Sequence, residues 1–406
     1  MPTNALNRTL AARLDEMAQS GRLKGKERVI RAVVPAGAGR GPRYLIEGEG
    51  ETPFLRMNSN SYLGMALRRE VETAEEEAAS RYGTGPGAVR FVSGTFAPHI
   101  ALERRLAAFH RRPAAMLFSS AYAAVMGILP PLVTDKTAVI SDALNHNCII
   151  NATALARPAE KRIYKHLDLD DLERQLEAAK GCARAIVVTD GIFSMRGDHA
   201  PLGEIVALAG RHDGAFAENA IVVVDDSHGV GAFGATGRGT EEYTGSTADV
   251  LVATLGKAFG VNGGYAVGDE TVIRYLRETS PTYVYSNPIT PTEAAAAHRA
   301  VDVLDSAAGL AMLAHLRAMT ARFRSGLVRL GFETLAGEHP VVPLLTRDTA
   351  RTGALVAHLR RCGVLATGLA YPVVPRGDEE IRFQVSADHT EADIDQALDA
   401  LGRFLP

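Results

Sequence analysis

Apolar side chains at Leu6, Leu10, Leu14 and Met17 recur at helical spacing, so the stretch from Ala5 to about Arg31 reads as one helix face. Asp15, Glu16 and Glu27 within it argue against an acid-poor transit peptide and for a structural helix. The extended Arg43 to Glu47 and the turn-rich Met57 to Gly64 follow. From Glu70 onward helical and strand-like runs alternate: Val71 to Arg81, Ile100 to His110, Ala115 to Phe118, Val125 to Val133, Ala138 to Ile140 and Ile149 to Ala156. Ala185 to Val188, Ile221 to Val224 and Val250 to Ala253 are short, apolar and β-branched, which suits strands buried on both faces. Helical stretches such as Leu169 to Ala179 and Leu202 to Arg211 connect them, which predicts right-handed crossovers and a mainly parallel sheet. An alanine-rich helix, Pro291 to Ala307, leads to strands near Val341 to Leu345 and Ile381 to Val385, flanked by helices Thr352 to Arg361 and Glu391 to Phe404. The expectation is α/β: an N-terminal helix and extended segment over residues 1–60, a large domain over 61–295 and a smaller α/β domain over 296–406.

Composition narrows the class. In 406 residues, 44 basic against 47 acidic side chains leave a charge of −3, which removes the electrostatic case for nucleic acid. No apolar run is long enough to span a membrane and the start has no secretory segment, so a cytoplasmic protein is expected. Cys148, Cys182 and Cys362 lack paired spacing; they read as packing residues, and no metal site is expected.

Two glycine- or serine-bearing turns invite a phosphate reading. Gly229-x-Gly231-x-x-Gly234 follows a strand, with Asp249 further on, as in dinucleotide-binding turns; the loop-like Ala235 to Gly239 after it argues against the helix that motif requires. Phe118-Ser119-Ser120-Ala121-Tyr122 ends a strand before the helical Ala123 to Leu129, where free amides can bind a phosphate or Ser120 can simply cap the helix.

The chemistry gathers at two strand ends. Asp225-Asp226-Ser227-His228 closes Ile221 to Val224 at the carboxyl edge of a parallel sheet, where open α/β folds bind ligands. Lys257, in Thr254-Leu255-Gly256-Lys257-Ala258-Phe259-Gly260, follows the next strand among small and apolar residues, a setting that can turn an amine into a nucleophile. A carboxylate at one strand end and such a lysine at a later one match the needs of pyridoxal phosphate.

With Asn60 to Gly64, Val89 to Thr95, Ser141 to His146, Thr189 to Met195 and Ile381 to Ser386 in the same order, the chain resembles the α-oxoamine synthases from Asn58 to Asp393. These are pyridoxal phosphate enzymes of aspartate-aminotransferase-like fold type I that join an amino acid to an acyl thioester. The resemblance implies that Lys257 holds the cofactor as a Schiff base and then removes the Cα proton. Asp225 pairs with the ring nitrogen, His146 stacks on the ring, and Ser194 and His228 bond its phenolic oxygen. The phosphate falls to the Ser120 turn, with the amides of Ala121 and Tyr122 and the hydroxyl of Thr254. Ser286 serves the partner subunit's phosphate, which implies a homodimer with a shared site, and Asn60 and Arg382 hold the amino acid's carboxylate.

Local signals for the substrate diverge. Ser141 to His146 and Thr367 to Pro375 look most like glycine C-acetyltransferases, which use glycine and acetyl-CoA, whereas Thr254 to Tyr265 has the form seen in 5-aminolevulinate synthases. Asn151, Leu167 and Ser61 stand where relatives carry aspartate, asparagine, and asparagine or aspartate, so another amino acid, a longer acyl chain, a carrier-protein thioester or an 8-amino-7-oxononanoate synthase-like activity stays open, with or without loss of the carboxylate. A non-catalytic pyridoxal phosphate binding module is the reading from another class.

Overall fold

The computed structural model describes residues 3–20, 22–23, 25–371 and 374–404; Pro372 and Val373 of the substrate-diagnostic stretch lie outside the described residues. Contacts divide the chain into two compact units.

The larger unit, Asn60–Thr320 with Ala336–Pro340, is built on a seven-stranded sheet. Its strands are β1 (Ala114–Phe118), β2 (Thr137–Asp142), β3 (Glu160–Tyr164), β4 (Arg184–Asp190), β5 (Ala220–Asp225), β6 (Val250–Thr254) and β7 (Gly264–Gly268), in spatial order β1-β7-β6-β5-β4-β2-β3. β2 to β6 pair in parallel, while β7 runs antiparallel between β1 and β6. The periodicity had not marked β7 or β3. Gly264-Tyr-Ala-Val-Gly is short and flanked by glycines, and β3 sits at the sheet edge, where its alternating Glu-Lys-Arg polar positions hide an otherwise strand-like run.

Val-rich central strands are buried on both faces. Val139, Ile186, Val188, Val223 and Val252 meet Ile128, Leu129, Ile149, Ile273 and Leu276 from the helices Ala121–Leu132, Asn147–Ala156 and Glu270–Thr279. Burial of this apolar surface is the main stabilising term. The alanine-rich helix ends at Leu304, and a second, Ala307–Arg329, begins after Asp305-Ser306. That break places Asp305 where it pairs with Arg105 and Arg238.

The smaller unit comprises Met1–Ser59, Ala321–Leu335 and Val341–Pro406. Its sheet runs Glu333–Thr334, Val341–Leu345, Glu380–Gln384, Thr367–Leu369, with every neighbouring pair antiparallel. The N-terminal helix is Asn4–Gln19, shorter than its apolar spacing suggested, and Leu6, Leu10 and Leu14 on it are exposed. A buried Arg43–Asp393 ion pair ties the extended segment to the last helix, Glu391–Gly402. Among the described residues, no helix is long and apolar enough to cross a membrane.

Candidate active site

Asp142, Asp190, Asp225 and Thr254 are the last residues of β2, β4, β5 and β6, four strands that lie side by side. Parallel strands carry their carboxyl ends to one edge, so the topology alone brings three acids together there. Asp190 and Asp225 are register partners.

A cavity of about 240 Å³ opens at this edge within the larger unit. It is lined by Ser120, Ala121 and Tyr122 at the start of helix Ala121–Leu132, by Asp190, Asp225, Ser227 and His228, by Thr254 and Lys257, and by His146, Cys148, Ile192 and Ser194. Eight of the residues picked out by resemblance as holding the cofactor on this subunit, from Ala121 to Lys257, therefore share one cavity with Ser120. Ser286 does not line it and sits, half-buried, just after the short helix Pro281–Val284. Asn60 is in the same unit, where its amide oxygen accepts from the Tyr62 hydroxyl at 3.5 Å. Arg382 lies in the smaller unit, on the strand Glu380–Gln384.

Each side chain is held by a local device. Ser120 does cap its helix, its Oγ accepting from the Ala123 amide at 3.0 Å. The cap leaves the Ala121 and Tyr122 amides, the first two of the helix, with no carbonyl one turn below, so cap and anion site coexist. Gly264 permits this approach, because a Cβ there would overlap the Ala121 nitrogen. Lys257 follows β6 in a tight turn closed by Gly260 N–H to the Lys257 carbonyl at 3.1 Å and Leu255 N–H to the Gly263 carbonyl at 2.9 Å. Asp225 accepts the Ser227 amide at Oδ1, 3.1 Å. His228 Nδ1 lies 2.7 Å from the fully buried Tyr62 hydroxyl, and the Nε2–H of His339 donates to the His228 carbonyl at 2.9 Å.

His146 caps helix Asn147–Ala156, its Nδ1 accepting the Cys148 amide at 3.3 Å, and its own amide donates to Asp190 Oδ2 at 3.0 Å. Burial lowers the His146 pKa; Asp225 opposes and Lys257 reinforces that shift. Asp190 is driven well above the carboxylate range by burial and by Asp225 beside it. Cys148 is pushed far up by burial and then by Asp225 and Asp190, so it stays a thiol.

The glycine motif has a packing explanation. Gly229 abuts the Asp226 carboxylate and Gly231 abuts Ala258, each at a distance that leaves no room for a Cβ. No helix opens at Gly234: Ala235 to Gly239 form a loop, as read from the sequence, and the next helix begins only at Thr240.

Asp190, Cys148, Ile192 and Ser227 line the cavity without having been singled out. Asp190 and Ser227 sit inside motifs already quoted, and Cys148 was read as packing; their neighbours in sequence were the available signal. Of the departures, Leu167 has φ +57 and donates its amide to Asp142 Oδ2 at 3.0 Å, a left-handed position that suits asparagine better than leucine. Asn151 bonds the Tyr122 hydroxyl at 2.6 Å and Asn147 Oδ1 at 2.9 Å.

An amine, a buried carboxylate, two imidazoles and a helix start around one cavity can take a ligand with an anionic end and a basic heteroaromatic ring. The donor set therefore fits pyridoxal phosphate. The pattern of the family described as aminotransferase class I and II matches residues 52–401. A Geobacter metallireducens protein named 8-amino-7-oxononanoate synthase is 41% identical over 361 residues, 88% of this chain and 90% of that protein. The Homo sapiens mitochondrial 2-amino-3-ketobutyrate coenzyme A ligase is 38% identical over 364 residues, 89% of this chain and 84% of that protein. Among solved structures, Sphingomonas wittichii serine palmitoyltransferase has a TM-score of 0.86 at 26% identity, covering 100% of this chain and 99% of that one. An SPT structure with PLP has a TM-score of 0.85 at 26% identity, covering 97% and 96%. The chain belongs to the aminotransferase class I and II family and, within it, to the α-oxoamine synthases: it is a fold type I, pyridoxal phosphate-dependent acyltransferase that condenses an amino acid with an acyl thioester.

Proposed function

We propose that this enzyme condenses glycine with acetyl-CoA and retains the carboxylate, and that Lys257, Asp225, His146 and His228 carry the chemistry. The observation that supports the assignment is their convergence, with Ser194, Thr254 and the helix start at Ala121, on one cavity. Pyridoxal phosphate, when bound, supplies an electron sink for the negative charge that develops at the amino acid's Cα.

The chain's own groups do the rest. Lys257 would hold the cofactor's aldehyde, and its Nζ is the base that would take the Cα proton. Asp225 would hold the proton on the ring nitrogen, and burial together with Asp225 raises the pKa of Asp190 beside it. His228, whose Nδ1 lies 2.7 Å from the Tyr62 hydroxyl, would bond the phenolic oxygen together with Ser194. His146, kept neutral by burial, covers the ring. The Ala121 and Tyr122 amides and Thr254 take the phosphate, as does Ser286 from the partner in a homodimer. Asn60 and Arg382 bind the amino acid's carboxylate, for which a guanidinium fork is suited. The cytoplasm is the proposed compartment, since free Cys148, Cys182 and Cys362 suit a reducing one.

The relative named 8-amino-7-oxononanoate synthase, at 41% identity, favours a second reading with a different amino acid and a longer acyl thioester. A screen of amino acids against acyl-CoA and acyl-carrier thioesters, read by mass spectrometry, separates the two. Glycine with acetyl-CoA giving an intact 2-amino-3-keto acid supports the first; a product formed only from a longer thioester, or released with carbon dioxide, overturns it. Lys257→Ala is expected to abolish turnover and borohydride fixation of the cofactor. Undiminished fixation would remove Lys257 from its role.

A further inference from the structure

His339 is the buried end of an exposed loop. Ala336, Gly337 and Glu338 before it face solvent, whereas His339 itself is 1% exposed. Residues Ala336–Pro340 group with the larger unit, although the chain on either side of them belongs to the smaller one. There His339 bears on His228 in two ways. Its Nε2–H donates to the His228 carbonyl at 2.9 Å. Its ring also lies edge-on to that of Tyr62, with centroids 5.4 Å apart and planes at 79°, and the Tyr62 hydroxyl is 2.7 Å from His228 Nδ1. Phe233 packs against the same imidazole at 6.0 Å between centroids. His228 is therefore gripped at its backbone by one buried ring and at its side chain by another, and the two rings support each other. Burying an imidazole costs free energy that a purely apolar side chain would not, unless the hydrogen bond it makes is put to use.

We propose that His339 is a positioning residue: without touching the cofactor, it holds His228 where the imidazole meets the phenolic oxygen. The inference rests on the assignment of the cavity to pyridoxal phosphate and of His228 to that oxygen. His228 lines the cavity, and His339 is not among the residues that do. The bond to the carbonyl sets the direction in which the His228 side chain leaves the backbone, and Tyr62, backed by the His339 ring, sets its rotation. Both matter because a hydrogen bond weakens steeply once its angle or length departs from the favoured range. The competing role is packing alone, in which any ring of this size would serve as well as an imidazole.

Two substitutions separate these roles in the full-length protein loaded with pyridoxal phosphate. His339→Phe keeps a ring and loses the donor; His339→Gln loses the ring and keeps an amide donor near the place of Nε2. The readouts are the pH midpoint of the bound cofactor's visible band and the cofactor's dissociation constant. In His339→Phe the midpoint is expected to move and the dissociation constant to rise about fivefold, as one weakened hydrogen bond implies. His339→Gln is expected to keep both close to wild type. If His339→Phe does not fold, His339→Leu takes its place in the comparison. An unmoved midpoint and unchanged affinity in the donorless variant, even with a lower unfolding temperature, would leave His339 with packing alone and overturn the proposal. A glutamine variant that shifts as far as the phenylalanine one would overturn it too, by showing that the ring and not the donor matters. In either case a normal wild-type band leaves the cavity assignment standing. A wild type that shows no cofactor band removes that assignment, and the role of His339 with it.

Discussion

The Cys148 thiol lies 3.5 Å from Asp225 Oδ2 and 2.9 Å from His146 Nδ1, so one buried S–H stands between two groups of the cavity wall. Since burial keeps the thiol protonated and the Cys148 amide already donates to His146 Nδ1, the S–H can be given to Asp225, whose other oxygen is bonded by Ser227 N–H. Cys148 thereby acts as a positioning residue for both. Cys148→Ala is expected to lower kcat by about fivefold, the worth of roughly 1 kcal/mol from one hydrogen bond, and to move the pH midpoint of the cofactor's visible band. Cys148→Ser should restore both. An unmoved midpoint in the alanine variant would leave Cys148 with packing alone.

Leu167 takes a left-handed conformation that disfavours branched apolar side chains. Leu167→Asn is expected to raise stability by about 1 kcal/mol, because asparagine tolerates this region and the amide bond to Asp142 is kept. Urea unfolding measures it, and a neutral or negative change would show that the leucine side chain contributes more by packing than its backbone costs.

His166 bridges two carboxylates, Nδ1 to Asp142 at 3.0 Å and Nε2 to Asp198 at 3.2 Å. Burial works against its charge, but the bonds to Asp142 and Asp198 outweigh it and raise the pKa to about 9. Because the folded value exceeds the unfolded one near 6.5, this contribution is complete below about pH 6.5 and is lost as pH rises through about 9. The predicted result is a stability that falls from pH 7 to pH 9.5 in wild type and falls less steeply in His166→Gln, measured by urea unfolding across that range.

Asp226 sits at the centre of a glycine cage. Its oxygens accept the Thr240 amide at 2.6 Å and the Thr240 hydroxyl at 2.8 Å, and a Cβ at Gly239, where φ is +85, would collide with Oδ2. Gly239→Ala is therefore expected to destabilise the protein by about 2–4 kcal/mol in thermal or urea unfolding, through both strain and displacement of the carboxyl. Burial raises Asp226 to about 7. A raised acid favours the fold below its unfolded value and loses that benefit as pH climbs through its folded one, so Asp226→Asn should flatten the stability profile between about pH 4 and pH 7. A profile unchanged by that substitution would exclude Asp226 as its source.

The strands Thr137–Asp142, Arg184–Asp190, Ala220–Asp225 and Val250–Thr254 were legible as apolar β-branched runs, because a strand buried on both faces must be apolar throughout. The strand-end position of Asp225 and the turn that carries Lys257 followed from where those runs stop. β7 was not legible, since five residues between glycines carry no period, and its antiparallel place between β1 and β6 depends on pairing with both. The glycines of Gly229 to Gly234 were ambiguous for the same reason: a glycine's purpose is the atom it makes room for, and Asp226 and Ala258 become visible only once the loop is folded.

Residue types and spacing thus settled which side chains are available for chemistry, because periodicity and strand ends are properties of the local chain. Which of them meet was a matter of three-dimensional packing. Asp190 beside Asp225, the thiol of Cys148 between Asp225 and His146, and Tyr62 behind His228 are contacts across strands or between distant stretches of the chain. Protonation and hydrogen bonding at such places answer to desolvation and neighbouring charge, and neither exists until the sheet closes around them.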